Sequence, residues 1–277
     1  MNAGIMLVLA LSLGFVATLG GHAGARAAGT LLAAHRGGAQ LCPENSLLAF
    51  SNAIALGADF LEFDVHLSKD GEAVVIHDPT LERTTTGVGA VSDRTLAELK
   101  ALRLKGRDGK VTEETIPTLD EVVGQAAPTS LRLLLEIKVD AKRRRYHGIE
   151  EKVLRILDSH GMASRTIVMA FEQETVNRIR ELRPAVSVGG LYEKRDLAEV
   201  RSTVGRELER LRDAGARFIG LHQGLVTSDV VRQAEQAGLL LGVWTVNDAA
   251  VMKRFIEMGV GILITDRPAV AKGLLGR

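Results

Sequence analysis

Ala34-His35-Arg36-Gly37-Gly38 ends a short apolar run, Leu31 to Ala34, with a histidine and an arginine. Glu62-Phe63-Asp64 and Ile76-His77-Asp78 follow it. Imidazole titrates near neutral pH, so His35 and His77 are candidates for a general acid and base. Arg36 has the forked geometry that clamps an oxyanion. Glu62 and Asp64 lie two apart on an apolar strand, so both side chains project from one face. Burying two such charges is costly unless they pair or bind a metal. Together these residues suit metal-assisted acid–base chemistry on an anionic substrate.

The same spacing recurs in Leu133-Leu134-Leu135-Glu136-Ile137-Lys138, where Glu136 and Lys138 share a face. Glu62, Asp64 and Glu136 make a hard oxygen donor set, which suits Mg²⁺ or Ca²⁺ better than Zn²⁺. Lys138 beside them is placed to neutralise a phosphate oxygen. Trp244, the only tryptophan, lies in Val243-Trp244-Thr245-Val246-Asn247 and offers a flat apolar wall at a strand end. The other histidines (His22, His66, His147, His160, His222) carry weaker signals; of these His222 lies at a strand end and is expected near the mouth.

These side chains need a scaffold that gathers strand ends. From residue 30 onward, apolar runs at 31–35, 60–66, 73–77, 132–138, 165–171, 186–192, 217–222, 239–246 and 261–265 alternate with helical patterns. The helices are expected at 45–56, 95–103, 118–127, 148–160, 173–182, 196–214, 228–238 and 248–258. Gly57, Gly161, Gly215, Gly238 and Gly259 mark helix C-termini, and Thr227-Ser228-Asp229 and Asn247-Asp248 mark N-termini. This alternation reads as βαβ units around a parallel sheet. Nine strands is one too many for a closed eight-stranded barrel. The link Ser68-Lys69-Asp70-Gly71 is too short for a parallel crossover and reads as a hairpin turn. Strand 73–77 should therefore run back along 60–66, carrying His77 towards Glu62 and Asp64. The fold expected is an α/β TIM barrel with a hairpin extension after strand 2 and a polar insertion at 79–117 beside the mouth.

A chain of 277 residues with 46% apolar content and a net charge of +1 has the size of one such barrel, and nothing in it marks a nucleic-acid surface. The single cysteine, Cys42, rules out an intrachain disulfide and is expected to be a small buried residue. Residues 1–28 read separately. Ile5 to Leu19 has the length of a signal-peptide core, and Ala25-Arg26-Ala27 supplies a small-x-small pattern ahead of a cut before Ala28. Met1-Asn2-Ala3-Gly4 carries no Lys or Arg, an imperfect fit. The expectation is export to the periplasm or medium, leaving residues 29–277 as the catalytic domain without a stable membrane span. An uncleaved anchor facing outward is the alternative. No cysteine follows the apolar run, which argues against a lipoprotein.

His35-Arg36-Gly37, Pro43-Glu44-Asn45-Ser46, Glu62-Phe63-Asp64-Val65, Asp70-Gly71, Val75 through Thr85, Leu135-Glu136-Ile137-Lys138, Trp244-Thr245-Val246-Asn247 and Thr265-Asp266-Arg267-Pro268 run in order across the mature chain. In this the sequence resembles the glycerophosphodiester phosphodiesterase family. The resemblance implies a TIM-type barrel that hydrolyses glycerophosphodiesters to sn-glycerol 3-phosphate and an alcohol. It implies His35 and His77 as the acid–base pair, and Glu62, Asp64 and Glu136 as ligands of Mg²⁺ or Ca²⁺. It implies Arg36 and Lys138 as phosphate contacts, and 79–117 as the family's insertion. Ser46 stands where threonine is commoner, and it should still cap the helix.

Three other readings bear on the same residues. A lysophospholipase D-type or sphingomyelinase D-type enzyme would use this site on a lipid, but 79–117 is polar and has no aromatic residue. A zinc amidohydrolase needs a His-x-His pair on its first strand, and Ala33-Ala34-His35 has none. A non-catalytic phosphodiester-binding protein would be marked by loss of a histidine or acid, and none is lost.

Overall fold

A computed structural model describes residues 29–199 and 202–277; the expected leader, 1–28, lies outside the described residues. Nine strands form: β1 (Leu31–Ala34), β2 (Phe60–Leu67), β3 (Ala73–Val75), β4 (Arg132–Ile137), β5 (Thr166–Ala170), β6 (Ser187–Tyr192), β7 (Phe218–His222), β8 (Leu240–Trp244) and β9 (Ile262–Thr265). Eight are parallel and close on themselves, because β1 pairs with β2 on one side and β9 on the other. The ninth, β3, runs antiparallel to β2, with Val65 opposite Val75 and Leu67 opposite Ala73. This is the closed barrel with a hairpin extension that the short 68–71 link predicts.

The period-two pattern divides each strand between two cores. One face of β2 and β4 packs Leu61, Phe63, Val65, Leu133 and Leu135 against the surrounding helices. The alternate residues fill the barrel, where Ala33, Phe60, Leu134, Met169, Phe218 and Ile264 form one cluster. Above Phe60 on the inward face come Glu62 and Asp64, and Asp64 stands level with Glu136 of β4. The interior is thus apolar at its base and carboxylate-lined at the C-terminal ends of the strands, the end at which barrel active sites lie.

Helix Leu47–Leu56 buries Ala49, Phe50 and Ala53, and the Phe50 ring meets Phe63 edge-on at 5.7 Å. Ser46 caps this helix as expected, its Oγ accepting from Ala49 N at 3.0 Å. The insertion has its own small core of Leu81, Val91, Leu99, Leu104 and Ile116, packed on Val74 and Ile76 of the hairpin. Within it a 3₁₀ turn, Val91–Asp93, precedes a short α-helix, Leu96–Lys100, which starts on a capping box between Thr95 and Glu98.

Three details differ from the sequence reading. The helix expected over 196–214 is two helices, Lys194–Glu199 and Val204–Asp213. Thr203 accepts from Arg206 N and starts the second, so a cap overrides continuous periodicity. A C-terminal helix, Pro268–Leu274, was not expected; it opens on a proline, which is pre-set for a first helical turn. Cys42 is part-exposed rather than buried, and its Sγ accepts from Asn52 Nδ2 at 3.0 Å.

The barrel centre depends on one absent side chain. A Cβ on Gly189 of β6 would lie 2.4 Å from the carbonyl oxygen of Phe218 and 2.5 Å from its ring. Glycine there gives Phe218 room at the middle of the barrel. Gly189→Ala should destabilise the fold by about 1–3 kcal/mol, the usual cost of overpacking a tight core. Chemical denaturation at constant m-value checks this; an unchanged midpoint would show that β6 shifts freely.

Candidate active site

His35 and Arg36 occupy a tight turn, His35–Gly37, directly after β1. Arg36 takes a left-handed conformation (φ 50°) that disfavours a side chain by roughly 1–2 kcal/mol. That bend aims its backbone N–H at Glu62 Oε2, 2.9 Å away. Gly37 follows with φ 81°, and a Cβ there would sit 2.7 Å from the Ala49 Cβ. The turn therefore needs glycine both for its backbone angle and for its contact with helix Leu47–Leu56.

Glu62, Asp64 and Glu136 are 3%, 1% and 7% exposed, and each offers an oxygen within 4.8 Å of the other two. Three carboxylates this close and this dry repel one another, so cations surround them. Lys138 Nζ donates to Glu136 Oε1 at 2.6 Å and lies 3.5 Å from Asp64 Oδ1. Arg36 Nε lies 3.6 Å from Asp64 Oδ2, and Asn45 Nδ2 donates to the same oxygen at 2.9 Å. Burial alone would raise the pKa of Asp64, but His77, Lys138, Arg36 and the Asn45 bond hold it far below the usual carboxylate range. Glu62 goes the other way: burial, with Asp64 and Glu136 adding to it against the pull of His35, lifts it to about 7. Burial also opposes the charge on Lys138, yet Glu136 and Asp64 outweigh it and raise its pKa. Asp64 Oδ1 is buried and accepts no hydrogen bond. An orphaned carboxylate oxygen inside a three-acid cluster fits a hard divalent cation.

Each histidine is oriented by a carboxylate. His35 Nδ1 donates to Asp266 Oδ1 at 2.6 Å, and His77 Nδ1 donates to Asp78 Oδ1 at 2.7 Å. A carboxylate only accepts, so in both rings Nδ1 carries the proton and Nε2 is the nitrogen free to exchange one. His35 Nε2 lies 3.9 Å from Glu62 Oε2. Burial disfavours the charged His35 ring, but Glu62 and the bond to Asp266 prevail and raise its pKa. Asp266 is itself held by Asn247, which donates from Nδ2 to Oδ2 at 2.7 Å. Asp78 is bonded by Arg83, Arg83 bonds Glu44, and Glu44 accepts from Arg36 Nη1 at 2.8 Å. A continuous chain of ion pairs thus links the two histidine turns.

His66, a weak signal in the sequence, has a structural part. It is the next inward residue after Asp64 on β2 and is fully buried. Its Nε2 donates to the His77 carbonyl at 3.1 Å, and its Nδ1 accepts from Tyr146 at 2.9 Å. Burial lowers its pKa to about 4, so it stays neutral and pins the backbone of His77. The period-two pattern Glu62, Asp64, His66 is the signal that marks it.

His35, Arg36, Glu62, His77, Glu136, Lys138 and Trp244 all line one cavity of about 490 Å³, with Asp64 buried beside Arg36 and Lys138. All eight residues singled out from the sequence converge. Trp244 forms an apolar wall with Met169, Leu191 and Ile264, and it meets Phe171 edge-on at 5.8 Å. His222 stands edge-on to Trp244 at 5.5 Å and does not line the cavity. Sequence reasoning quoted Asp78, Asp266, Glu44 and Asn45 within motifs but assigned them no part. Arg83 stands in the run Val75 through Thr85 and was likewise given no part, whereas Phe171 and the rim residues Glu172 and Glu193 carried no local signal.

The model of the glycerophosphoryl diester phosphodiesterase family matches residues 35–270. A glycerophosphodiester phosphodiesterase from Caldanaerobacter subterraneus subsp. tengcongensis is 35% identical over 240 residues, covering 86% of this chain and 95% of that one. One from Bacillus subtilis is 29% identical, covering 95% of both chains. Among solved structures, an Oleispira antarctica phosphodiesterase in complex with the product sn-glycerol-3-phosphate superposes with a TM-score of 0.76 at 26% identity, covering 90% of this chain and 98% of that one. The matches span nearly all of the described barrel, and the chain belongs to the glycerophosphoryl diester phosphodiesterase family, a family of phosphoric diester hydrolases.

Proposed function

We propose that the chain hydrolyses glycerophosphodiesters to sn-glycerol 3-phosphate and the free alcohol, with His35 and His77 as the acid–base pair. The observation that carries this reading is the pair of imidazoles, each with Nδ1 tied to a carboxylate and both lining one cavity with Glu62 and Glu136, behind which Asp64 is buried. The product bound by the Oleispira antarctica relative supports the substrate class.

A phosphodiester is a stable monoanion, so its hydrolysis needs charge neutralisation, a deprotonated nucleophile and a protonated leaving group. Arg36 and Lys138 bind the non-bridging oxygens. One histidine takes the proton from the glycerol hydroxyl beside the phosphate, and that oxygen attacks phosphorus. The other protonates the departing alkoxide. A 1,2-cyclic phosphate results, and water opens it with the two histidines in exchanged roles. Glu62, Asp64 and Glu136 hold Mg²⁺ or Ca²⁺, which when bound supplies positive charge against the charge developing on phosphate. Trp244 covers the apolar face of the glycerol skeleton. The insertion has no aromatic residue and buries most of its large apolar residues in its own core, leaving only Val88 and Val111 exposed, which favours short diesters over the lipid substrates of lysophospholipase D-type enzymes. The apolar run Ile5 to Leu19 supports export of the mature chain.

His35→Ala and His77→Ala should each lower kcat by at least about 10²-fold with the fold intact. The assay follows release of glycerol 3-phosphate from glycerophosphocholine and traps the cyclic intermediate. Near-normal turnover in either variant removes that histidine from the pair. Uptake of solvent ¹⁸O in a single turnover, with no cyclic species, removes the two-step route.

Glu136→Gln should raise the concentration of Mg²⁺ or Ca²⁺ needed for half-maximal activity by at least about tenfold. An unchanged metal titration excludes Glu136 from the ligand set.

Asp266 raises the His35 pKa, so Asp266→Asn should lower it. The limb of the pH–rate profile governed by His35 then moves to lower pH, whichever role His35 plays. The ring's NMR titration checks the shift; a pKa that stays or rises shows that Asp266 does not tune the ring.

A further inference from the structure

Two cavities meet at His35 and Arg36. The second, about 520 Å³, shares His35, Arg36 and Thr245 with the first and opens towards the insertion. Their walls differ in kind. The first has the apolar wall of Met169, Leu191, Ile264 and Trp244. Its rim sets Arg143 and Arg195 against Glu172, Glu193 and Asp196. The second has no such wall; Arg83, Lys105 and Arg107 of the insertion face it.

The charges of the second cavity do not cancel. Its two acids, Glu44 and Asp266, are already engaged, Glu44 by Arg36 and Arg83, Asp266 by His35. Arg83 is further satisfied by Asp78. Lys105 Nζ donates only to the Glu82 carbonyl, at 3.1 Å, and among the described residues neither Lys105 nor Arg107 forms an ion pair. A tight hairpin presents both: Lys105 bridges to Val111, Gly106 N donates to the Lys110 carbonyl, and Gly109 N donates to the Gly106 carbonyl. Asp108, the nearest acid in sequence, is paired with Lys110 at 2.9 Å.

A phosphodiester has two arms, and here two lobes adjoin the same histidine and arginine. The apolar lobe fits the short carbon skeleton of glycerol. We propose that the insertion lobe is the subsite for the departing alcohol, and that Lys105 and Arg107 select an alcohol carrying a further anionic group, such as a second phosphate. This rests on the hydrolytic reading above and adds to it the class of leaving group.

The test compares three substrates with departing alcohols of different charge: glycerophosphocholine, glycerophosphoglycerol and bis(glycerophospho)glycerol, whose departing alcohol keeps a phosphodiester. The full-length enzyme should show kcat/KM about tenfold higher for the third than for the second, after correction for its two equivalent ends. The excess should shrink as salt is raised from roughly 0.01 M to 1 M. Lys105→Gln with Arg107→Gln should abolish the excess and leave glycerophosphoglycerol turnover within about twofold, since neither side chain packs in a core. The single variants, each checked by thermal melting, should lose part of it. Equal kcat/KM for the neutral and anionic substrates in the wild type, or an excess that survives the double variant, overturns the subsite while leaving the hydrolytic reading standing. Failure to turn over any of the three overturns the hydrolytic reading and the subsite with it.

Discussion

Three carboxylates buried within 4.8 Å of one another are the constraint around which the barrel mouth is arranged. In water such a cluster would be tolerable; in a dry strand-end pocket it has to be matched by cations and hydrogen-bond donors. Lys138 from β4, Arg36 and His35 from the turn after β1, and the Asn45 amide are those partners. The left-handed backbone at Arg36 follows from the same demand, since it turns a main-chain N–H onto Glu62. What remains after this matching is one buried carboxylate oxygen with no hydrogen-bond partner, which is the room left for a cation.

The histidines are held by a second layer that the carboxylates do not touch. Asp266 and Asp78 fix which ring nitrogen is free, and Asn247 and Arg83 fix the two aspartates. The contact of His35 with Asp266 exists because the barrel closes. Pairing of β1 with β9 sets Ala34 level with Thr265, and the residues that follow each strand, His35 and Asp266, come into contact. The backbone of His77 is placed because the hairpin folds β3 back on β2, which puts the His77 carbonyl within reach of His66. Topology thus decides which nitrogen of His35 is free and where the His77 backbone sits, while the His77 ring takes its partner from the next residue, Asp78.

The insertion plays a different part. Most of its large apolar side chains are consumed by its own cluster on the hairpin, with Val88 and Val111 left exposed, and the side chains it turns towards the second cavity are polar and basic. Through Arg83 and Glu44 it is also tied into the ion-pair chain that reaches Arg36. The segment that lines the second cavity therefore also braces Arg36, which both cavities share.

Much of this was legible before any coordinates. Alternation along β2 and β4 places Glu62, Asp64 and Glu136 on the inward face, because side chains on a strand switch sides at every residue. The four-residue link at 68–71 can only be a hairpin, because a parallel return needs more chain. Local rules of this kind act over a few positions and read directly from the sequence; Thr203, which splits an apparently continuous helix, is a cap that periodicity overlooked. The partnership of His35 with Asp266, 231 positions apart, is of another kind. So is the bridge from Glu44 to Arg83, and so is the meeting of two cavities at His35 and Arg36. Which distant charges touch depends on barrel closure and strand register, quantities set by the sum of packing over the whole molecule. The residue types able to do the chemistry were written in the chain, while the geometry that orients them came only with the closed barrel.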